Sequence, residues 1–193
     1  MIEMGQYYKV ALVDNEWHTK VITPDGWKLL EHSYYGNNTM RRIEKLIFKQ
    51  WMNLMWIWDY AQCASLVWKH RFEDTEAKWY DEIYTDDEIL QRDSNKDYYL
   101  VNHFTKEFIN MTKQEMNEEL QDRLGWVIHP LPILCRVDWD HWWGDYTEDM
   151  LNGEYLWRRA WDIISVYELP RDYDEQFVKE WFHDKTDVYF FKE

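Results

Sequence analysis

Apolar and polar positions alternate along this chain in a way that predicts mostly strands. Residues 7–13 and 17–23 are β-prone runs separated by the polar cluster Asp14-Asn15-Glu16, which predicts an opening hairpin whose second arm ends at Pro24-Asp25-Gly26. Residues 27–35 are ambiguous, with Leu29, Leu30 and Ser33-Tyr34-Tyr35 able to extend a strand until Gly36-Asn37-Asn38 breaks it. The spacing then changes. Met40, Ile43 and Ile47 fall at helical intervals and predict an amphipathic helix over 39–50, with Arg41, Arg42, Lys45 and Lys49 as a basic outer face. Residues 52–60 return to an aromatic, apolar run that suits a central strand.

Two further runs, 98–103 and 106–111, form a strand pair turning near Phe104-Thr105. Thr112-Lys113-Gln114-Glu115 has capping-box spacing, and Met116, Leu120 and Leu124 continue it to Gly125, so a helix is expected from 112 to 124. That helix delivers the backbone into 126–137, an apolar stretch read as a buried strand. Residues 156–169 form another β-rich run stopped by Pro170, Phe177, Val178, Trp181 and Phe182 have helical spacing, and 188–191 suit a terminal strand. Hairpins and short helices without βαβ alternation predict an α+β fold: a mostly antiparallel β-sheet built from hairpins, with three or four short helices packed against it. The length of 193 residues suits a single domain over 1–193. Its most acidic part, about 71–97, is expected to be a surface excursion, with a short helix starting at the capping box Thr85-Asp86-Asp87-Glu88.

Composition adds two points. Hydrophobic residues make up 46%, enough for a core, and the 19% aromatic share exceeds what a core needs, so some rings should line a groove or interface. The formal charge of −15 repels phosphate backbones and anionic membranes, which argues against direct nucleic-acid backbone binding and against a membrane partner. The same charge suits a basic protein partner. Cys63 and Cys135 make neither a disulfide framework nor a zinc set, and with no apolar run of membrane-spanning length and no signal-like start, a cytoplasmic location is expected.

Several segments together resemble a family of short proteins from phages and prophages of Gram-positive bacteria: Met4-Gly5-Gln6-Tyr7-Tyr8-Lys9, Lys28-Leu29-Leu30-Glu31-His32-Ser33-Tyr34, Trp58-Asp59-Tyr60-Ala61, Tyr99-Leu100-Val101-Asn102-His103, Ile128-His129-Pro130-Leu131-Pro132, Gly144-Asp145-Tyr146 and Trp161-Asp162-Ile163-Ile164-Ser165. Where that family carries a glycine-rich run before Gly-Asp-Tyr, this chain has Asp138-Trp139-Asp140-His141-Trp142-Trp143. The resemblance implies a context, an accessory gene of a mobile element that blocks a host defence system, and no particular chemistry.

Three sets of residues offer function. Lys9, His32, Asp59, Tyr60, Asn102, His103, His129, Asp145, Trp161 and Asp162 supply acid/base groups, amides and rings for one polar pocket if the strands bring them together, with His103, His129 and Asp145 as catalytic candidates. The competing reading makes each an ordinary partner, with Asn102 and His103 satisfying a hairpin turn. Asp138, Asp140 and His141 are weak metal candidates, matching no ligand-spacing motif, and no cofactor is expected. Trp142, Trp143 and Tyr146 offer stacking surfaces, because consecutive residues of an extended chain face opposite sides. No Gly-x-Ser-x-Gly elbow or phosphate-cradling glycine loop is present. Two readings remain: a binding protein that engages a host protein, such as a basic nucleic-acid-binding defence enzyme, or a nucleotide-like small molecule; and a small His/Asp-dependent hydrolase or nucleotide-processing enzyme.

Overall fold

The opening hairpin pairs strand β1 (Tyr8–Val13) antiparallel with β2 (Thr19–Ile22), in the register Val10 opposite Ile22. The computed structural model describes residues 8–16, 19–22, 24, 29–58, 89–121, 125–137, 162–173 and 175–187. The remaining strands are β3 (Met52–Trp58), β4 (Lys96–Asn102), β5 (Glu107–Asn110), β6 (Arg136–Val137), β7 (Ile163–Pro170) and β8 (His183–Asp184). Five short helices accompany them: α1 (Leu29–His32), α2 (Asn38–Leu46), α3 (Met111–Glu115), α4 (Pro130–Leu134) and α5 (Gln176–Trp181). The expected α+β fold is therefore present.

The eight strands among the described residues join one sheet in the order β2-β1-β3-β7-β4-β5-β8, with β6 beside β3. Pairing is antiparallel except between β3 and β6 and between β5 and β8. Strand β3 divides one edge between two neighbours: Met52 and Asn53 pair with β7, while Trp56 and Ile57 pair with β6. The sheet forks there.

Strand β7 is the spine. One edge pairs with β4 from Ile164 opposite Asn102 to Pro170 opposite Lys96. Its other edge takes the turn that follows α2, through Val166 N–H to Ile47 O at 2.9 Å and Lys49 N–H to Val166 O at 2.8 Å. Because side chains alternate along a strand, β7 and its partners feed two apolar clusters. Tyr98, Leu100, Ile109, Ile164 and Val166 join the larger core with Met40, Ile43 and Ile47 of the α2 region. Tyr99, Val101 and Phe108 point to the opposite face, where Tyr167, Leu169, Val178 and Phe182 cover them.

Three elements differ from the sequence pattern for identifiable reasons. The stretch 126–137 is not one strand: Val127 and Ile128 make only isolated bridges, and Pro130 begins α4. Proline has no N–H for a sheet ladder but is favoured in a first helical turn, and His129 caps that turn by accepting from Leu131 N–H at 3.2 Å. The helix expected over 112–124 is confined to α3 and one 3-10 turn at Glu118–Leu120. Asn110, not Thr112, is the N-cap, accepting from Lys113 N–H, because Thr112 Oγ1 is taken by Tyr98 N–H at 3.0 Å. Asn117 then caps the separate 3-10 turn. Residues 29–32 are helical where strand extension was open, and the basic face of α2 is incomplete because Arg42 is buried. The expected strand at 188–191 and most of the acidic excursion lie outside the described residues.

Candidate functional site

The expected polar pocket resolves into two separate polar clusters, one buried in the larger core and one at the turn between β4 and β5. The first is buried in the larger core. Helix α2 contributes Glu44, the α4 cap contributes His129, and the segment before β4 contributes Arg92. Glu44 accepts from Arg92 Nη2 and, at 3.2 Å, from Arg92 Nε; Arg92 Nη1 donates to Glu115 at 2.7 Å. His129 Nε2 lies 3.3 Å from Glu44 Oε1 with both residues buried. Since His129 Nδ1 accepts a backbone hydrogen bond, the imidazole proton sits on Nε2 and faces the carboxylate. Tyr35 packs its ring 4.6 Å from that imidazole and donates to Gln114 Oε1 at 2.6 Å.

Burial and charge act against each other here. Desolvation is the largest influence on Glu44, raising its pKa, yet His129 and Arg92 together hold it below the ordinary carboxylate value. Burial pushes His129 below the usual histidine range, against the pull of Glu44. The result is a neutral imidazole beside an ionised pair. His129 is 0% exposed, which keeps both of its nitrogens from a substrate proton.

The second cluster sits at the turn joining β4 and β5, where Asn102 faces the core side with Leu100 and Ile164 and His103 the other side with Ser165. Asn102 organises that turn: its Oδ1 accepts from Phe104 N–H at 2.9 Å and Thr105 N–H at 3.0 Å, and its Nδ2 donates to the buried Asp162 at 2.6 Å. An Asn at this position satisfies turn amides that would otherwise lack partners. His103 follows, its backbone held by Ile163 O at 2.9 Å and its Nε2 placed 2.6 Å from Ser165 Oγ. The ring of Trp51 lies 4.4 Å from the imidazole, while Tyr167 and Phe182 meet it edge-on at 6.2 and 6.3 Å. Trp51 Nε1 donates to the Tyr167 hydroxyl at 2.8 Å, which fixes the indole. Desolvation, followed by repulsion from Lys106, holds His103 below the usual histidine value.

His103 and Ser165 thus have the separation of a base and a nucleophile, but Ser165 is 0% exposed. A carbonyl carbon cannot reach its Oγ. Trp51, packed against His103, is open instead at 58% exposed, and the chain neighbours Phe104, after His103, and Trp181, before Phe182, are 77% and 67% exposed. Lys106, in the left-handed region at φ 56°, places its ammonium 5.6 Å from the Phe182 ring centre.

The other predicted residues scatter. His32 is buried, accepting from Trp56 Nε1 at 3.3 Å, and Lys9 is exposed on β1. Asn102 meets Asp162 on the core side of the sheet, His103, one residue on, meets Ser165 on the opposite side, and His129 joins Glu44 and Arg92 instead. Asp59, Tyr60, Asp138, Asp140, His141, Trp142, Trp143, Asp145, Tyr146 and Trp161 lie outside the described residues. Among the described residues no three His, Cys, Asp or Glu side chains group as metal ligands. A cavity of about 30 Å³ beside Leu100, Leu131, Cys135 and Ile164 is apolar, and its size suits at most a water or two.

Sequence reading missed Glu44, Arg92, Trp51, Ser165 and Lys106. Glu44 and Arg92 resembled solvated charges, and only their burial singles them out. Trp51 carried a usable signal, a large ring between the exposed Gln50 and a strand start. Comparison with known proteins adds no relative: no family model, curated protein or solved structure matches this chain.

Proposed function

We propose that this protein acts by binding and not by turnover, and that the aromatic surface around His103 is its contact face. One observation carries the reading. The imidazole of His129 and the carboxylates of Glu44 and Asp162 face internal partners, whereas Trp51, packed against His103, stands exposed, as do Phe104, the residue after His103, and Trp181, the residue before Phe182. Large rings at low conformational cost are the usual anchors of interfaces. In the mobile-element setting that the sequence resemblance implies, the protein works in the host cytoplasm as an inhibitor of a defence system, engaging or sequestering what that system needs. No described helix is long and apolar enough to cross a membrane, which fits this setting.

The competing enzymatic reading draws on His103 and Ser165, 2.6 Å apart. It requires Ser165 to become accessible, so the binding reading is the better supported. Retention of host components on immobilised wild-type protein, compared with a Trp51→Ala/Trp181→Ala double variant, separates the two. Loss of a retained component in the double variant supports binding through this face. Equal retention by both forms, or a hydrolytic activity abolished by Ser165→Ala, would overturn it.

A further inference from the structure

The chemistry of the His103 surface specifies more than an aromatic anchor. Four chain segments meet there: the turn after α2 supplies Trp51, the β4–β5 turn supplies His103 and Lys106, β7 supplies Ser165 and Tyr167, and the end of α5 supplies Phe182. Trp51 is half-covered by His103 and Tyr167 and otherwise open. His103 Nε2 is engaged by Ser165, so of its two ring nitrogens Nδ1 is the one left for a ligand hydrogen bond. No carboxylate lies within ion-pair distance of Lys106 among the described residues, whereas Lys49, Lys96, Lys113, Lys179 and Lys185 are each paired. An uncompensated ammonium, an imidazole and an open indole share one small surface.

We propose that this surface binds a small planar anion, a nucleoside monophosphate, with its base stacked on Trp51 and its phosphate at Lys106 and His103. This rests on the binding reading above and names the ligand class for that same site. Stacking on an indole tolerates any base, and an ammonium beside an imidazole favours a phosphate. The overall charge of −15 selects for a small ligand. At physiological salt, charges beyond about 8 Å are largely screened, so a single phosphate meets chiefly Lys106. A polynucleotide would extend its charge across the acidic remainder of the molecule.

Calorimetric titration of the full chain with AMP, GMP, CMP and UMP, and with inorganic phosphate alone, tests the assignment. At least one nucleotide should bind saturably. Trp51→Ala and Lys106→Gln should each weaken it by about tenfold or more, and phosphate alone should bind far more weakly than the nucleotide. Both substituted side chains are exposed, and circular dichroism confirms that the variants fold. Absence of binding by all four nucleotides at millimolar concentration overturns the proposal, as does binding unchanged in both variants. If nucleotides fail while capture of a host component still depends on Trp51 and Trp181, the ligand class falls and the binding reading stands. If neither is seen, both fall.

Discussion

His129 Nε2 and Glu44 Oε1 lie 3.3 Å apart in the core, the imidazole neutral and the carboxylate ionised through its two-point contact with Arg92. This arrangement ties α2 to the cap of α4 and to the segment before β4, three pieces far apart in sequence. Breaking a buried pair by removing one charge leaves the other without compensation. Glu44→Gln is therefore expected to destabilise the fold by roughly 3 kcal/mol, measured as a shift of the urea midpoint at unchanged slope. A shift indistinguishable from zero would mean that the network contributes nothing to stability.

The same network sets an acid sensitivity. His129 is held below 6.5 in the folded state, so the unfolded chain takes up its proton first and stability declines as pH falls below 6.5. Glu44, also held low, adds its share below pH 4.5, again lost as pH falls. Glu175, lowered to about 2 by donors from Lys113, Asn110 and Tyr99 that outweigh its burial, loses its contribution between pH 4.5 and 2. Stability measured from pH 8 to 4 should thus begin to fall near pH 6.5. A His129→Gln variant, less stable throughout, should show a flatter profile between pH 6.5 and 5; an unchanged slope would exclude His129 as the source.

Asn102 can be tested apart from His103. Its amide oxygen serves two turn amides and its nitrogen serves Asp162. Asn102→Ala should cost about 1–3 kcal/mol, the range for leaving buried polar groups unsatisfied. Asn102→Asp should cost more at pH 7, because it sets a second carboxylate against Asp162, and should recover relative to the alanine variant as the pH drops below 4.5. Chemical denaturation of both variants at pH 7 and pH 4 measures this difference.

Cys135 is fully buried against α4 and the small cavity. In a Cys63→Ser background its thiol should react with an aromatic disulfide reagent only through structural opening. The rate should rise steeply with subdenaturing urea. Fast, urea-independent labelling would show that the cavity admits reagents from solvent.

Much of the fold was legible from local pattern. The run 52–60 read as a strand, observed over Met52–Trp58, the competing reading of Asn102 made it a turn residue, and the spacing of Met40, Ile43 and Ile47 marked α2. Misreadings arose where a local signal had a second meaning. Pro130 and Pro132 sit in a run apolar enough for a strand, but their missing N–H groups favour a capped helix. Thr112 has capping-box spacing, yet its hydroxyl serves a strand amide fourteen residues earlier.

Local pattern and summed composition were enough to read an antiparallel sheet with short helices and a strongly acidic chain, since each depends on near neighbours or on totals. Only the tertiary structure decided which polar residues meet. Strand register puts Asn102, Asp162, His103 and Ser165 at one end of the β4–β7 pair. His129, a helix cap that lies on no strand, meets Glu44 and Arg92 in the larger core. A residue's side of a sheet depends on pairing between segments some sixty residues apart, and no local pattern encodes that pairing.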